Sequence, residues 1–368
     1  MMRVGVDGRE LVQGVHTGIG RYLFEVLRAA SKAGWDVVVY ADHPLPQALT
    51  LPGVQVRVLR APWTFWWDQQ SLPRRLAKDH VSVFLSPYYK GPVPAPCPVV
   101  LTIHDLLFIQ YLGRSRFVYD TVMTALAATY AAGAAAIITD SESSKRSIVG
   151  RLRIGADKVT VIPVAVGSEF TPQAITEAAR RKYGIVGNYL LAVGNFLPHK
   201  NLPRLLEAYA KMSVRHRGTH RLVLVGGDRG RQRELEAAVK RLELEGRVVF
   251  PGTIADADLP GLYGGCALFV LPSLAEGFGL PALEAMACGA PVVASNRGAI
   301  PEVVGDAALL VNPEDPAAMA SAMERVLSSE QLAGELRQRG LIRAREFTPD
   351  RTAGRVLQLL EQVSRGRA

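Results

Sequence analysis

The sequence predicts an α/β protein made of two doubly wound parallel-sheet domains. Short, continuous apolar runs alternate with helical patterns along the whole chain, as expected of strands buried on both faces of a parallel sheet. At 368 residues the chain is too long for one ordinary core. No internal repeat or low-complexity tract interrupts the alternation.

In the first half, strands are expected at residues 3–7, 36–40, 54–59, 81–85, 99–103, 136–139 and 159–162. In the second half they are expected at 189–193, 221–225, 248–250, 268–271, 291–294 and 308–311. The polar stretch within 163–187 separates a first domain, 1–170, from a second, 171–349. A last helix within 350–368 is expected to pack back on the first domain. Residues 121–139 carry no charge, long enough to test as a membrane span. Their Ala and Thr content and Gly133 instead predict a buried helix over 114–132, followed by the strand at 136–139. Paired doubly wound domains bind ligands in the cleft between them, at the carboxyl ends of strands.

Composition narrows the function classes. With 48% hydrophobic and 21% charged residues the chain is neither disordered nor fibrous. Three scattered cysteines, Cys97, Cys266 and Cys288, form no disulfide framework or CxxC metal site and imply a reducing compartment. The start, MMRVGVDGRE, lacks the apolar core of a secretory signal, so a cytoplasmic location is expected. Net charge is +9, with 18 Lys/Arg against 13 Asp/Glu through residue 172 and 25 against 21 beyond it. An excess spread this evenly argues against nucleic acid and fits a polyanionic small molecule or an anionic membrane surface.

The most informative segment runs from Pro272 to Gly289. A strand gives way to a Gly-rich loop (Gly277, Phe278, Gly279, Leu280), and Pro281 opens a helix that Gly289 closes. Unpaired amides around Gly279–Ala282 at the positive end of that helix form a phosphate site. Glu276 before it and Glu284 one turn inside it can accept hydrogen bonds from hydroxyls, an arrangement suited to a nucleotide sugar. Spacing alone is equally met by an ordinary loop and helix with two solvated glutamates.

The segment resembles the E-x7-E motif of retaining glycosyltransferases of family 4, which have the GT-B fold of two Rossmann-like domains. The resemblance continues through Thr17-Gly18-Ile19-Gly20-Arg21-Tyr22, Ile103-His104-Asp105, Asp140–Ser144, Val193–Asn201, Pro301-Glu302 and Gly305-Asp306. It implies that Glu284 holds ribose hydroxyls, that Glu276 contacts the donor sugar, and that Lys200 neutralises the diphosphate. It places His104 beside the donor sugar, and gives Gly18 and Gly20 to a glycine loop approaching the diphosphate. It assigns base recognition to backbone in the loop 250–254, at Gly252 and Thr253. Many members carry an arginine shortly before the lysine, where this chain has Asn195 and His199. His199, Arg204 or Arg229 is then the alternative second cation. The form GN-x-x-PHKN resembles the mannosyltransferase-like branch and makes GDP-mannose the first choice of donor.

Other readings are weighed beside this one. Residues 18–23 lack the third glycine of a dinucleotide fingerprint and begin about ten residues after their strand, which argues against NAD. Asp105 is expected to orient His104 or to cap the next segment, and Asp140–Ser144 to end a strand and cap a helix. The aromatic and basic stretch Arg60–Arg75 reads as a membrane or lipid-acceptor patch, or as a structural segment. No DxD pair follows a strand to chelate a metal ion, and the resemblance implies an enzyme that works without one, with the nucleotide sugar as co-substrate and no cofactor. The resemblance implies a retaining hexosyltransferase acting on a glycan or lipid-linked acceptor. The expected location is cytoplasmic, and the charge excess and the aromatic stretch add peripheral contact with the cytoplasmic face of the membrane as an expectation. A UDP-sugar-dependent transferase, a GT-B epimerase and a non-catalytic sugar-nucleotide-binding partner are the alternatives.

Overall fold

The computed structural model describes residues 2–15, 17–110, 117–227 and 230–366, which form two compact units, Met1–Ala165 with Pro349–Ala368, and Val166–Thr348. In the first unit the strands are β1 (Arg3–Asp7), β2 (Asp36–Ala41), β3 (Val54–Val58), β4 (Val83–Ser86), β5 (Val99–Thr102), β6 (Ala136–Thr139) and β7 (Val159–Val161). They pair in parallel in the order β3-β2-β1-β4-β5-β6-β7. Its connections carry α1 (Gly18–Lys32), α2 (Thr64–Trp66), α3 (Leu72–Lys78), α4 (Leu107–Gln110), α5 (Phe117–Gly133) and α6 (Glu142–Leu152).

The second unit holds β8 (Asn188–Val193), β9 (His220–Val225), β10 (Val248–Gly252), β11 (Leu268–Leu271), β12 (Val292–Ser295) and β13 (Leu309–Val311), all parallel, in the order β10-β9-β8-β11-β12-β13. Helices α7 (Glu177–Lys182), α8 (Leu202–Lys211), α9 (Val214–Thr219), α10 (Gln232–Arg241), α11 (Leu259–Gly265), α12 (Leu280–Ala287), α13 (Ile300–Val304), α14 (Pro316–Ser328) and α15 (Glu330–Ala344) connect them. The last helix, α16 (Pro349–Ser364), packs on α1 of the first unit.

Local chemistry sets these elements. Thr17, Ser141, Thr176, Asp315 and Ser329 cap α1, α6, α7, α14 and α15 by accepting backbone N–H groups, each worth about 1 kcal/mol. Strands β4, β5, β6, β11 and β12 are buried along their whole length, and Val37 to Ala41 of β2 and Leu268 to Leu271 of β11 are at 2% exposure or less. In both sheets the strand order reverses between two neighbours, β1/β4 and β8/β11, and a doubly wound sheet binds ligand beyond the carboxyl ends at such a point.

One expectation is corrected. Residues 121–139 do form a helix and then a strand, but α5 is not buried: Ala127, Tyr130 and Ala131 face the core while Tyr119, Val122 and Leu126 face solvent. A helix this rich in alanine has little apolar surface to hide, so partial exposure costs little. The expected start of that helix, Arg114, lies outside the described residues. Among the described residues, no helix is long and apolar enough to cross a membrane.

Candidate functional site

In the second unit, Lys200 and Glu276 meet at the β8/β11 switch. After β8, the turn Pro198–Lys200 brings the Lys200 ammonium to 2.7 Å from Glu276 Oε1, which also accepts the Ser273 hydroxyl at 2.6 Å. The side chains are only 13% and 9% exposed. A small recess of about 10 Å³, near the least that holds one water, lies beside Lys200, lined by Gly194, Asn195, Val225, Leu271 and Ser273.

The turn is pinned by Asn201, which no role was assigned from sequence. It adopts φ +58°, a left-handed conformation that asparagine tolerates, and is 3% exposed. Its amide donates to Pro272 O (3.0 Å) and Pro313 O (2.7 Å), and its Oδ1 accepts from Arg204 (3.1 Å). Lys200 is thereby tied to the loop that carries Glu276. On the Glu276 side, Ala299 N–H donates to Glu276 O, and a Cβ on Gly298 would sit 3.1 Å from the Glu276 backbone.

The carboxyl ends of β8, β9 and β10 approach so closely that only glycine fits. A Cβ on Gly226 would lie 1.8 Å from Gly194 O, and Gly226 N–H donates to Gly252 O. Gly252 ends β10 at φ +75°, and Thr253 beyond it is exposed.

Helix α12 begins as the sequence requires, with Gly279 at its N-cap at φ +103° and Pro281 in its first turn. The expected run of free amides is shorter: Ala282 N–H bonds Gly279 O at 3.0 Å and Pro281 has none, which leaves Gly279 and Leu280 facing the dipole's positive end. Gly277 lies in the loop before them, and Phe278 turns inward against Phe347, ring centroids 5.7 Å apart. Glu284 is 5% exposed and accepts the Tyr263 hydroxyl at 2.8 Å, so it is a held carboxylate and not a solvated one.

The candidates for a second cation fare differently. Burial and the neighbouring Lys200 lower the pKa of His199, which makes it neutral near pH 7. Arg204 is engaged with Asn201, and Arg229 lies outside the described residues. Asn195 accepts Leu197 N–H and shapes the turn.

In the first unit, His104 follows β5, and its Nδ1 lies 2.9 and 3.0 Å from the two carboxylate oxygens of Asp140, at the end of neighbouring β6. Burial acts to lower the imidazole's pKa, but Asp140 outweighs it, with Asp105 and Glu10 adding, and the net direction is up. Nε2 is buried and, among the described residues, has no hydrogen-bond partner; the imidazole meets the Tyr22 ring edge-on. Of the two roles expected of Asp105, the structure shows the cap: its Oδ1 accepts the N–H of Leu107, the first residue of α4, while the carboxylate that holds His104 Nδ1 is that of Asp140. Parallel pairing of β5 with β6 places both side chains at one sheet edge. Gly18 and Gly20 lie in the first turn of α1 and not in a loop, because Thr17 caps the helix and accepts Gly20 N–H at 2.9 Å.

At the β1/β4 switch stands a charged cluster that sequence reasoning missed. Arg9 bridges Asp7 (2.6 Å) and Asp68 (2.7 Å) and stacks on Trp67 at 3.8 Å, while Lys90 lies 3.3 Å from Asp68. Glu10 accepts the Tyr88 hydroxyl at 2.6 Å and also the Thr17 hydroxyl. Among the described residues, no three His, Cys, Asp or Glu side chains gather closely enough to hold a metal ion.

Residues 16–170 match the family described as Glycosyltransferase Family 4, and residues 176–345 the one described as Glycosyl transferases group 1. The chain is 36% identical over 215 residues to the O-antigen chain mannosyltransferase B of Escherichia coli, covering 58% of this chain and 56% of that protein. It therefore spans little more than half of that relative's length. To the D-inositol 3-phosphate glycosyltransferase of Acidothermus cellulolyticus it is 32% identical over 379 residues, 92% of this chain and 84% of the other. The sucrose-phosphate synthase structure from Thermosynechococcus elongatus superposes with TM-score 0.80 across all of both chains at 22% identity, a likeness of fold.

Proposed function

The chain belongs to the family 4 glycosyltransferases and has their GT-B fold, and from that premise we propose that it transfers mannose, with retention, from GDP-mannose to a hydroxyl of a glycan or lipid-linked saccharide. The observation that carries the reading is the Lys200–Glu276 pair at the β8/β11 switch, next to the N-terminus of α12. When the glycosidic bond breaks, the departing diphosphate gains negative charge. A preorganised ammonium and the Gly279 and Leu280 amides stabilise that charge more than they stabilise the bound donor, which lowers the barrier.

Glu276 serves two turns in this scheme. It holds Lys200 in place through the 2.7 Å contact, and with donor bound it accepts hydrogen bonds from sugar hydroxyls. Glu284, fixed by Tyr263, accepts from the ribose. In the first unit, His104 presents Nε2 as a donor when its raised pKa keeps it protonated, which suits a phosphate oxygen or a sugar hydroxyl. The departing phosphate itself takes the acceptor proton on the same face, so no protein nucleophile is required. The choice of mannose is supported by the His199-Lys200-Asn201 turn and by the likeness to an O-antigen mannosyltransferase.

The test is proton NMR of slow donor hydrolysis without acceptor. With GDP-α-mannose, α-mannose is expected to appear before mutarotation supplies the β form. First appearance of β-mannose would overturn retention, and consumption of a UDP-sugar with GDP-mannose untouched would overturn the donor.

A further inference from the structure

We infer that the exposed aromatic turn around α2, with the cations flanking it, anchors the first unit to an anionic lipid bilayer. Trp63, Phe65 and Trp66 are 61%, 64% and 44% exposed. On side chains of about 200 Å² each, that leaves roughly 300 Å² of aromatic surface in water, comparable to the largest apolar patch of a typical monomer, which is often functional. Trp63 and Trp66 meet edge to face at 6.2 Å.

The turn is held from beneath. Trp67, the next residue, is 2% exposed and lies under the Arg9 guanidinium. Gln69 ties the following turn down, donating to Gly91 O and accepting Val93 N–H. Three aromatics displayed on a pinned turn lose little conformational freedom on contact.

Charge identifies the occupant. From residue 54 to residue 78 the only carboxylate is Asp68, which is buried and paired with Arg9 and Lys90. Arg57, Arg60, Arg74 and Lys78 are exposed in the same segment. Indole rings settle at the headgroup level of a bilayer, and each nearby cation adds to attraction by anionic lipids. A two-fold dimer through this patch would instead set its unpaired cations against their own copies. The inference stands on this surface and does not depend on which sugar is transferred.

The experiment uses the full chain with phosphatidylcholine vesicles, alone or carrying phosphatidylglycerol, read by co-sedimentation and tryptophan fluorescence. Of the four tryptophans, Trp63 and Trp66 are the strongly exposed pair, so insertion should shift emission to the blue. Binding is expected only with the anionic vesicles and is expected to fall with added salt. The triple variant Trp63→Ser/Phe65→Ser/Trp66→Ser should keep its thermal transition and lose about tenfold or more in partitioning. Arg57→Gln/Arg60→Gln should weaken binding and flatten its salt dependence. Absence of binding to anionic vesicles, or undiminished binding by the triple variant, would overturn the inference. So would a concentration-dependent dimer that the triple variant abolishes while vesicles remain unbound.

Discussion

Replacing Glu276 by Gln should separate nucleotide affinity from sugar transfer. Glu276 holds the ammonium that the diphosphate needs, with N···O at 2.7 Å and both side chains largely shielded from water. Two anions sharing one ammonium at hydrogen-bond distance lie about 5–6 Å apart, and at an effective dielectric of about 20 their repulsion is about 3 kcal/mol. Solvent at the partly open recess reduces this to about 1–2 kcal/mol, so the variant should bind free nucleoside diphosphate about 5- to 30-fold more tightly than the wild type. The amide still accepts from Ser273, which preserves the loop. Transfer should nevertheless fall by about a hundredfold or more, because the carboxylate that receives sugar hydroxyls is gone. Isothermal titration with GDP gives the first quantity and product formation the second. Weaker GDP binding by Glu276→Gln, or transfer at the wild-type rate, would refute the reasoning.

Three further outcomes follow from the geometry. Asn201→Asp keeps the left-handed backbone but sets a carboxylate against Pro272 O and Pro313 O; denaturation should show a loss of about 2–4 kcal/mol, with weaker GDP binding. Gly226→Ala should cost about 3 kcal/mol or more or leave the second unit unfolded by circular dichroism, since its Cβ would lie 1.8 Å from Gly194 O; a wild-type melting profile would contradict this. Asp140→Asn should lower the His104 pKa, read by histidine NMR titration. Because the folded-state value is raised, the wild-type pair contributes stability fully below the ordinary histidine pKa and loses it as pH climbs through the raised one. The variant should lack that dependence, and an unchanged titration would exclude Asp140 as the cause.

Much of the fold is legible because parallel strands buried on both faces write themselves as apolar runs. The run at 268–271 is β11 to the residue. Where an end moves, a competing hydrogen bond explains it: Val81 N–H closes α3 by bonding Leu76 O, so β4 begins at Val83. The exposure of α5 is not legible in the sequence, because the absence of charge does not measure apolar area and an alanine face can stay wet. Local motifs are equally readable, as with Pro281 in the first turn of α12 and Gly289 at φ +77° just past its end. Long-range pairings are not. Lys200 reaches Glu276 across 76 positions, and His104 reaches Asp140 across 36, because sheet topology brings together strand ends that no spacing rule connects. A charged residue directly after a buried strand, as Asp140 follows β6, is the one signal that was available.

The most direct test of the account compares wild type and Lys200→Met for release of nucleoside diphosphate from GDP-mannose, UDP-glucose, UDP-N-acetylglucosamine and UDP-galactose, each in EDTA without acceptor. The account predicts slow release of GDP from GDP-mannose alone, and its loss in Lys200→Met. Release of UDP in place of GDP, or undiminished release by the variant, would contradict it.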